Sequence, residues 1–572
     1  MYTLRINMVN GVYRKMKLNW WHGKIAYQIY PKSFKDSNGD GIGDLKGIIS
    51  KLDYLKELGV DIIWLSPIYV SPFVDNGYDI ADYRNIAPVF GTMDDFDELL
   101  AKAKKLDLHI ILDLVVNHCS SEHELFKKAL KNPQGEEASY FYFAKGKDGK
   151  TPDNLRSYFG GSVWEKVEGY DDLYYLHYYA KEQPDLNWNN PVLVKKVYDM
   201  INWWLDKGIS GFRVDAIMNV AKDLSFPGLP ADDIDGLCAA NKMTGKLTNR
   251  IPKMLNDLKS NTFDKYNALT VAEAFGVSDE VLPKLYGENG CFSTLFDFSA
   301  RELYESLPGY YAFPHSTVKH YRDHNFSTQK KVGLSGFICP ILENHDEPRS
   351  VSLYLKPHQQ NANGAKALAT AFMFLRGLPF IFQGQELGMT NTHFDSLDEF
   401  KDLLSHDEYK KCLAHGLTEE QALDALNNHA RDNARTPMLW DDSVNAGFST
   451  GTPWMKVHQD YKSMNVESQK KDKNSVLNYY KKLTALRKSE DLLNCFTYGR
   501  FEEIDLHSDE VIAYSRSDDQ NKVGIFCNFE DSNLEIQLSD GEELLLQSSD
   551  TVSITDNKLV IGPCAAAVVK LK

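Results

Sequence analysis

Residues 45–69 read LKGIISKLDYLKELGVDIIWLSPIY. The first part places Leu45, Ile48, Leu52 and Leu55 on one helical face, because residues three and four apart share a side of a 3.6-residue turn. Gly59 suits the position after a helix end, where only glycine adopts a left-handed conformation cheaply. The second part, VDIIWLSPIY (60–69), is almost continuously apolar, as a strand buried on both faces must be. The pairing recurs. DDFDELLAKAKKL (94–106) reads as a helix, and HIILDLVV (109–116) as a second buried strand. Asn190-Pro191 suits the N-cap and first helical position. It opens a helix that ends at Gly208, before the strand GFRVD (211–215). IAYQIYPKSF (25–34), ALTVAEAF (268–275), FICPILENHD (337–346) and LPFIFQGQE (378–386) complete the set of strand signals. Apolar strands alternating with amphipathic helices predict a parallel sheet covered by helices. Seven or eight such units over roughly 450 residues favour a (β/α)8 barrel over an open sheet. No GxGxxG or P-loop sequence favours a nucleotide-binding sheet.

Two regions break the rhythm. Residues 119–186 are loop-rich and aromatic (ASYFYF, SYFGGSVW, YYLHYY), an excursion long enough for a small subdomain inserted after the third strand. From 491 to 572 short strands and turns replace the alternation (VIAYSR, VGIFCNF, LEIQL, KLVIG, AAVVKLK), so an all-β sandwich domain is expected there. The barrel then comprises 1–118 and 187–490, with residues 1–17 as an extension ahead of it.

Composition narrows the function. The chain has 572 residues, 43% hydrophobic and 25% charged, with a net charge of −16. That charge, without a basic stripe to offset it, repels nucleic acid and anionic membranes. The 12% aromatic share fits a carbohydrate site, where rings stack on sugar faces. Eight scattered Cys without a Cys-x-x-Cys pair argue against a zinc site or a disulfide framework. No apolar run reaches signal-peptide or transmembrane length. The expectation is a cytoplasmic protein, a monomer or weak homodimer, acting on small molecules.

DSNGDGIGDL (36–45) has the spacing of the first nine positions of an EF-hand loop. Position 12 is Gly47, so the closing Glu is missing, and the flank before it reads as a strand. Two readings remain: a Ca²⁺ or Mg²⁺ loop closed by Asp44, or an Asp/Asn/Gly turn without metal.

Active residues of a parallel barrel lie at the C-terminal ends of its strands. Asp113 and His118 frame one such end, Arg213 and Asp215 another, Glu273 a third, and His345-Asp346 a fourth. Carboxylates gathered on one rim without a metal cage suit glycosidic bond cleavage. A retaining mechanism takes a carboxylate nucleophile and a protonated carboxyl about 5–5.5 Å apart. Arg213, two residues before Asp215 on the same strand face, favours the ionised nucleophile. Glu273 stands among Val271, Ala272, Ala274 and Phe275, apolar company that raises a carboxyl pKa by desolvation. Singly, these residues read as caps, ion pairs and a structural His. Their order and spacing together carry the reading.

DLVVNH (113–118), GFRVDA (211–216), VAEAF (271–275) and ENHDEPR (343–349) resemble the ordered signature segments of the α-amylase superfamily of glycoside hydrolases. AYQIYPKSFKDSNGDGIGDLKGI (26–48), DNGYDIADYR (75–84), QPDLNWNNP (183–191) and RDNARTPM (431–438) are similar to its oligo-1,6-glucosidase and α-glucosidase branch. The resemblance runs from about Asn19 to the C-terminus. It implies a double displacement with Asp215 as nucleophile, Glu273 as general acid/base, and Asp346 holding the distorted sugar. His118 and His345 would donate to the glucose at the cleaved position, Arg213 would orient the nucleophile, and Tyr78 would stack on that glucose. Asp79 and Arg435 would bind its non-reducing hydroxyls and close the pocket. Phe159, Tyr179 and Gln183 match further pocket positions. The family also implies a structural calcium in the 36–44 loop, held by Asp36, Asn38, Asp40, Asp44 and the Ile42 carbonyl, and no organic cofactor.

The chain departs from the branch at Cys119, Ala216, Tyr179, Ala274-Phe275 and Leu439. In the branch, Val at the position of Ala216 accompanies α-1,6 preference, and Ala or Thr α-1,4. The smaller side chain widens the wall beside the leaving sugar. The expectation is an exo-acting retaining α-glucosidase releasing terminal glucose from short α-1,4 and/or α-1,6 glucosides. The alternatives are a sucrose isomerase or transglucosylase, and a trehalose phosphate type hydrolase. A non-catalytic relative is disfavoured, because the three acids are kept and no membrane span is present.

Overall fold

The computed structural model describes residues 5–9, 12–15, 19–243, 250–275, 277–287, 289–301, 304 and 307–572. The expected extension, 1–17, falls partly outside them. Its described part is a hairpin of Arg5–Val9 with Val12–Lys15.

Six parallel strands pair in sequence order: Ala26–Ile29, Ile62–Leu65, His109–Val115, Gly211–Asp215, Leu269–Ala272 and Thr294–Leu295. A further strand, Phe380–Phe382, pairs back onto the first. The remaining gap is spanned by residues 337–341. Cys339 bridges Phe296 and Ile338 bridges Gly377, and Cys339 N donates to Leu295 O at 2.7 Å. The expected strand 337–346 is therefore only a short tie, because Pro340 has no N–H to extend a ladder. Gly377 is required at its crossing: a Cβ there would lie 1.7 Å from the Ile338 carbonyl oxygen.

The strands have two apolar faces. Ile62 and Trp64 point into the barrel with Ile111, Leu269, Val271 and Phe380. Ile63 and Leu65 point outward to the helices. This double burial is why the sequence runs are continuous rather than alternating. Helix Leu45–Glu57 buries Leu45, Ile48, Leu52 and Leu55, and Asp44 caps it by accepting from Gly47 N. Helix Pro191–Asp206 has Asn190 as its cap. No described helix is long and apolar enough to cross a membrane.

The excursion after the third strand carries one α-helix, Glu124–Lys131, a short 3-10 turn, Glu137–Tyr140, and a three-stranded antiparallel sheet. Its Leu155–Arg156 pairs with Cys238–Ala239, a segment that follows the fourth barrel strand. The C-terminal strands form a five-stranded and a three-stranded sheet. Alternate residues divide there: Val511 and Ala513 face the three-stranded sheet, while Ile512 and Tyr514 join the main core. Arginines fasten this region to the barrel. Arg487 donates to the carbonyls of Met373, Leu375 and Gly377, and Arg516 donates to that of Phe374 at 2.7 Å. These carbonyls belong to the turn between helix Ala362–Met373 and the last barrel strand.

Candidate active site

A cavity of about 690 Å³ opens where the barrel strands end. Arg213 organises its floor. One guanidinium nitrogen, Nη1, contacts Asp215 Oδ1 at 2.6 Å and Asp113 Oδ1 at 2.9 Å. The other, Nη2, contacts Glu273 Oε2 at 2.9 Å. Strand pairing explains the convergence, since Arg213 stands opposite Asp113 and Val271 in register. Residues two apart share a face, so Arg213, Asp215, Val271 and Glu273 all project toward the barrel axis.

The backbone after Asp215 turns sharply. Ala216 adopts φ 43°, ψ 27°, a left-handed conformation costing a non-glycine residue roughly 1–2 kcal/mol. The turn lets Ala216 N donate to Glu273 Oε2 at 3.0 Å. Glu273 Oε2 is thus occupied, and Oε1 is the oxygen free to carry a proton into the cavity. Burial pushes Glu273 up to about 7 against the pull of Arg213. Burial raises Asp215 too, with Arg213 opposing it. The shorter contact to Arg213 makes Asp215 the first of the two to ionise. Asp113 is raised to about 6 by burial, against the same guanidinium. It accepts from Trp64 Nε1 at 3.1 Å and Tyr78 OH at 2.9 Å.

Hydrogen bonds settle the state of His345. Gln28 Nε2 lies 2.8 Å from Nδ1, which must therefore accept. Nε2 then carries the proton, 2.6 Å from Tyr78 OH and 3.1 Å from Asp346 Oδ2. The ring is neutral, and burial holds its pKa well below the usual imidazole value. Tyr78 stacks on it at 5.3 Å with planes 8° apart. His118 is also neutral, lowered to about 3 by burial. Its Nε2 donates to Tyr78 O at 3.2 Å.

Burial opposes ionisation of Asp346, yet the His345 N–H, Arg431 and Arg435 hold its carboxyl far below the usual range. Arg431 Nη1 and Arg435 Nη2 each lie 3.0 Å from Asp346 Oδ1. Arg431 also reaches Asp75 at 3.2 Å and Asp402 at 2.7 Å. Gln183 Nε2 donates to Asp75 Oδ2 at 2.9 Å.

Tyr78, His118, Phe159, Tyr179, Asp215, Ala216, Glu273 and Asp346 line one cavity. Arg213, Gln183, His345 and Arg435 stand behind that wall and hold it. Asp79, expected on the sugar, is turned away. It is fully buried, and its oxygens accept from Ser71 Oγ, Val74 N and Asp75 N. The carboxylate of that loop that lines the cavity is Asp75, and the guanidinium of RDNARTPM that lines it is Arg431 rather than Arg435. Both motifs were visible, but spacing does not say which member faces the cavity. Asp402 has no local signal at all. Another unanticipated feature is a ring pair: Phe275 stacks on Phe298 at 4.6 Å, 10° from parallel, two residues beyond Glu273.

The 36–44 loop lies apart from this constellation. Asp36 Oδ1 accepts from Asn38 N and Gly39 N, and its Oδ2 from Gly41 N and Ser449 Oγ. Asp40 Oδ1 accepts from Ile42 N, and Asp44 from Ser37 and Gly47 N. Among the described residues no three acidic, His or Cys side chains gather closely enough to hold a metal. The donor set is nevertheless all oxygen, the class that fits a hard cation.

Residues 28–495 match the family described as "Alpha amylase, catalytic domain". The chain is 43% identical to a probable oligo-1,6-glucosidase of Bacillus subtilis, over 90% of this chain and 91% of that one. It is 38% identical to a trehalose-6-phosphate hydrolase of the same organism, over 89% and 90% of the two chains. Among solved structures, the isomaltulose synthase SmuA of Protaminobacter rubrum superposes with a TM-score of 0.90 at 36% identity, covering 97% of this chain and all of that one.

Proposed function

The chain belongs to the α-amylase family of glycoside hydrolases, and from that premise we propose that it is an exo-acting, retaining α-glucosidase releasing glucose from the non-reducing end of short α-glucosides. The observation that carries this reading is the bracket formed by Arg213 between Asp215 and Glu273, in a cavity that Asp75, Arg431 and Asp346 also line. Asp215 attacks the anomeric carbon as Glu273 passes its proton to the departing oxygen. Glu273 then takes a proton from water, which attacks the same carbon and frees Asp215. Asp346, kept ionised by its arginines, accepts from the sugar hydroxyls through both displacements. Asp75 and Arg431 bind the far end of the glucose.

Linkage preference is tested by kcat/KM for isomaltose and maltose at equal low concentration. Ala216 leaves space beside the leaving sugar, so maltose is turned over at a rate comparable to isomaltose or faster. A strong excess for isomaltose, the substrate class in the names of the oligo-1,6-glucosidase relatives, assigns the preference to Phe275 and Ala274 instead. One observation favours a second reading. The stacked Phe275–Phe298 pair gives the cavity an apolar wall two residues beyond the acid, and an apolar wall on the leaving-group side favours passing glucose to a sugar rather than to water. Turnover of sucrose without net glucose release supports that reading.

The 36–44 loop supports a structural Ca²⁺ held by Asp36, Asn38, Asp40, Asp44 and the Ile42 carbonyl. The ion would tie the loop while Asp44 caps helix Leu45–Glu57. Chelation lowers the melting temperature by about 1–2 °C, the shift that about 1–2 kcal/mol brings in a chain of this length, and leaves turnover at low temperature intact. An unchanged melting curve assigns the loop's order to its own carboxylate–amide bonds.

A further inference from the structure

Among the described residues the cavity wall carries five cations: Arg156, Lys242, Arg301, Lys411 and Arg431. Each is met by a carboxylate. Arg156 pairs with Asp235 at 2.6 Å and Asp232 at 2.9 Å, and Lys242 pairs with Asp232 at 2.7 Å. Lys411 pairs with Glu408 at 2.8 Å, and Arg431 with three aspartates. Arg301 faces Glu347 at 3.4 Å.

This last pair has a distinct place. Arg301 Nη1 donates to the backbone carbonyl of Asp346 at 2.7 Å, whereas Arg431 and Arg435 take that residue's carboxylate. Arg301 follows Phe298, whose ring stacks on Phe275, two residues past Glu273. The pair therefore lies on the side of the acid, where the departing sugar leaves. A quarter of the Arg301 side chain is exposed, and Glu347 is 8% exposed. A guanidinium and a carboxylate at this separation offer a donor and an acceptor to neighbouring hydroxyls of one ring.

Resting on the α-glucosidase reading, we infer that Arg301 and Glu347 form the polar wall of the leaving-group side and select an uncharged departing sugar over a phosphorylated one. Arg301 donates to one hydroxyl and Glu347 accepts from another. A phosphate placed there meets a guanidinium already neutralised and a carboxylate that repels it. The wall thus reads the leaving group, while Asp75 and Arg431 read the glucose that is kept.

The test compares two substrates that share the transferred glucose. α-Glucosyl fluoride has no leaving sugar, and isomaltose or maltose has one. Arg301→Met lowers kcat/KM for the disaccharides about 10- to 100-fold, the loss expected for a charge-assisted hydrogen bond. Hydrolysis of the fluoride stays within about threefold, since a departing fluoride leaves no sugar hydroxyl for Arg301 to bind. Equal losses on both substrates would mean that Arg301 acts only through Asp346, and no loss on either would mean that it acts on neither. Both results overturn the inference. Glu347→Gln, nearly isosteric, gives the second reading. Inhibition by trehalose 6-phosphate, relative to trehalose, strengthens about tenfold once the repelling charge of Glu347 is removed. An unchanged ratio overturns the selection against phosphate. Fluoride release by the unaltered enzyme reports on the α-glucosidase reading alone, so the two failures are told apart.

Discussion

Asp215→Asn removes turnover, lowering kcat on every glucoside by about 10⁴-fold or more. Loss of an attacking group in a cooperating catalytic set has consequences of this order. Asn occupies the same volume and still faces Arg213, so the glucose pocket remains. The variant therefore binds substrate and does not cleave it. Fold loss is not the cause. Asp215 is buried and raised in the folded protein, so its charge opposes folding at neutral pH, and the variant melts no lower than the parent. Burst kinetics and calorimetry on one preparation separate the two effects. Residual activity within tenfold of the parent would remove Asp215 from the role of nucleophile.

Glu273→Gln has a different signature. The first step then lacks its acid, and glucosides with poor leaving groups slow by about 10³-fold. α-Glucosyl fluoride, which needs no proton to depart, reacts in that step as before. Small anions such as azide restore the second step, because they need no general base. The pH profile follows from the same group. Its folded pKa is raised to about 7 by burial, so the protonated form prevails below that value. kcat/KM for disaccharides falls as pH rises through about 7, and the basic limb disappears in Glu273→Gln. A basic limb preserved in that variant would place the titrating acid elsewhere.

The barrel was legible because its strands are apolar on both faces and its helices on one. The runs around Ile62–Leu65, His109–Val115 and Gly211–Asp215 have no other burial pattern open to them. The seventh segment was less legible. FICPILENHD carries strand composition, but its proline and its turn toward Asp346 leave only a bridge on each side. The helices Leu403–Ala414 and Glu419–His429 were not anticipated. They bury Cys412, Ala422 and Leu426 against a small local core, so their apolar stripes are short. Within the site, the three acids stood out because strand ends place them. The Asp75–Gln183 and Arg431–Asp402 contacts were not visible, because they join loops far apart in the chain.

The turn gripped by Arg487 and Arg516 has a consequence for how the protein is made. The strand it launches, Phe380–Phe382, is the one that covers the open edge of Ala26–Ile29. That first strand leaves the ribosome when more than half of the chain is still to be synthesised. Until Phe380–Phe382 follows it, one row of its backbone groups has no ladder partner, the exposure that invites wrong pairing between nascent chains. The arginines that hold the launching turn come later still, one on the helix before the final domain and one within it. Residues translated late in this chain therefore hold the turn that launches the partner of a strand translated early. The C-terminal region thus acts as a latch on a closure that the two ends of the sheet make between themselves.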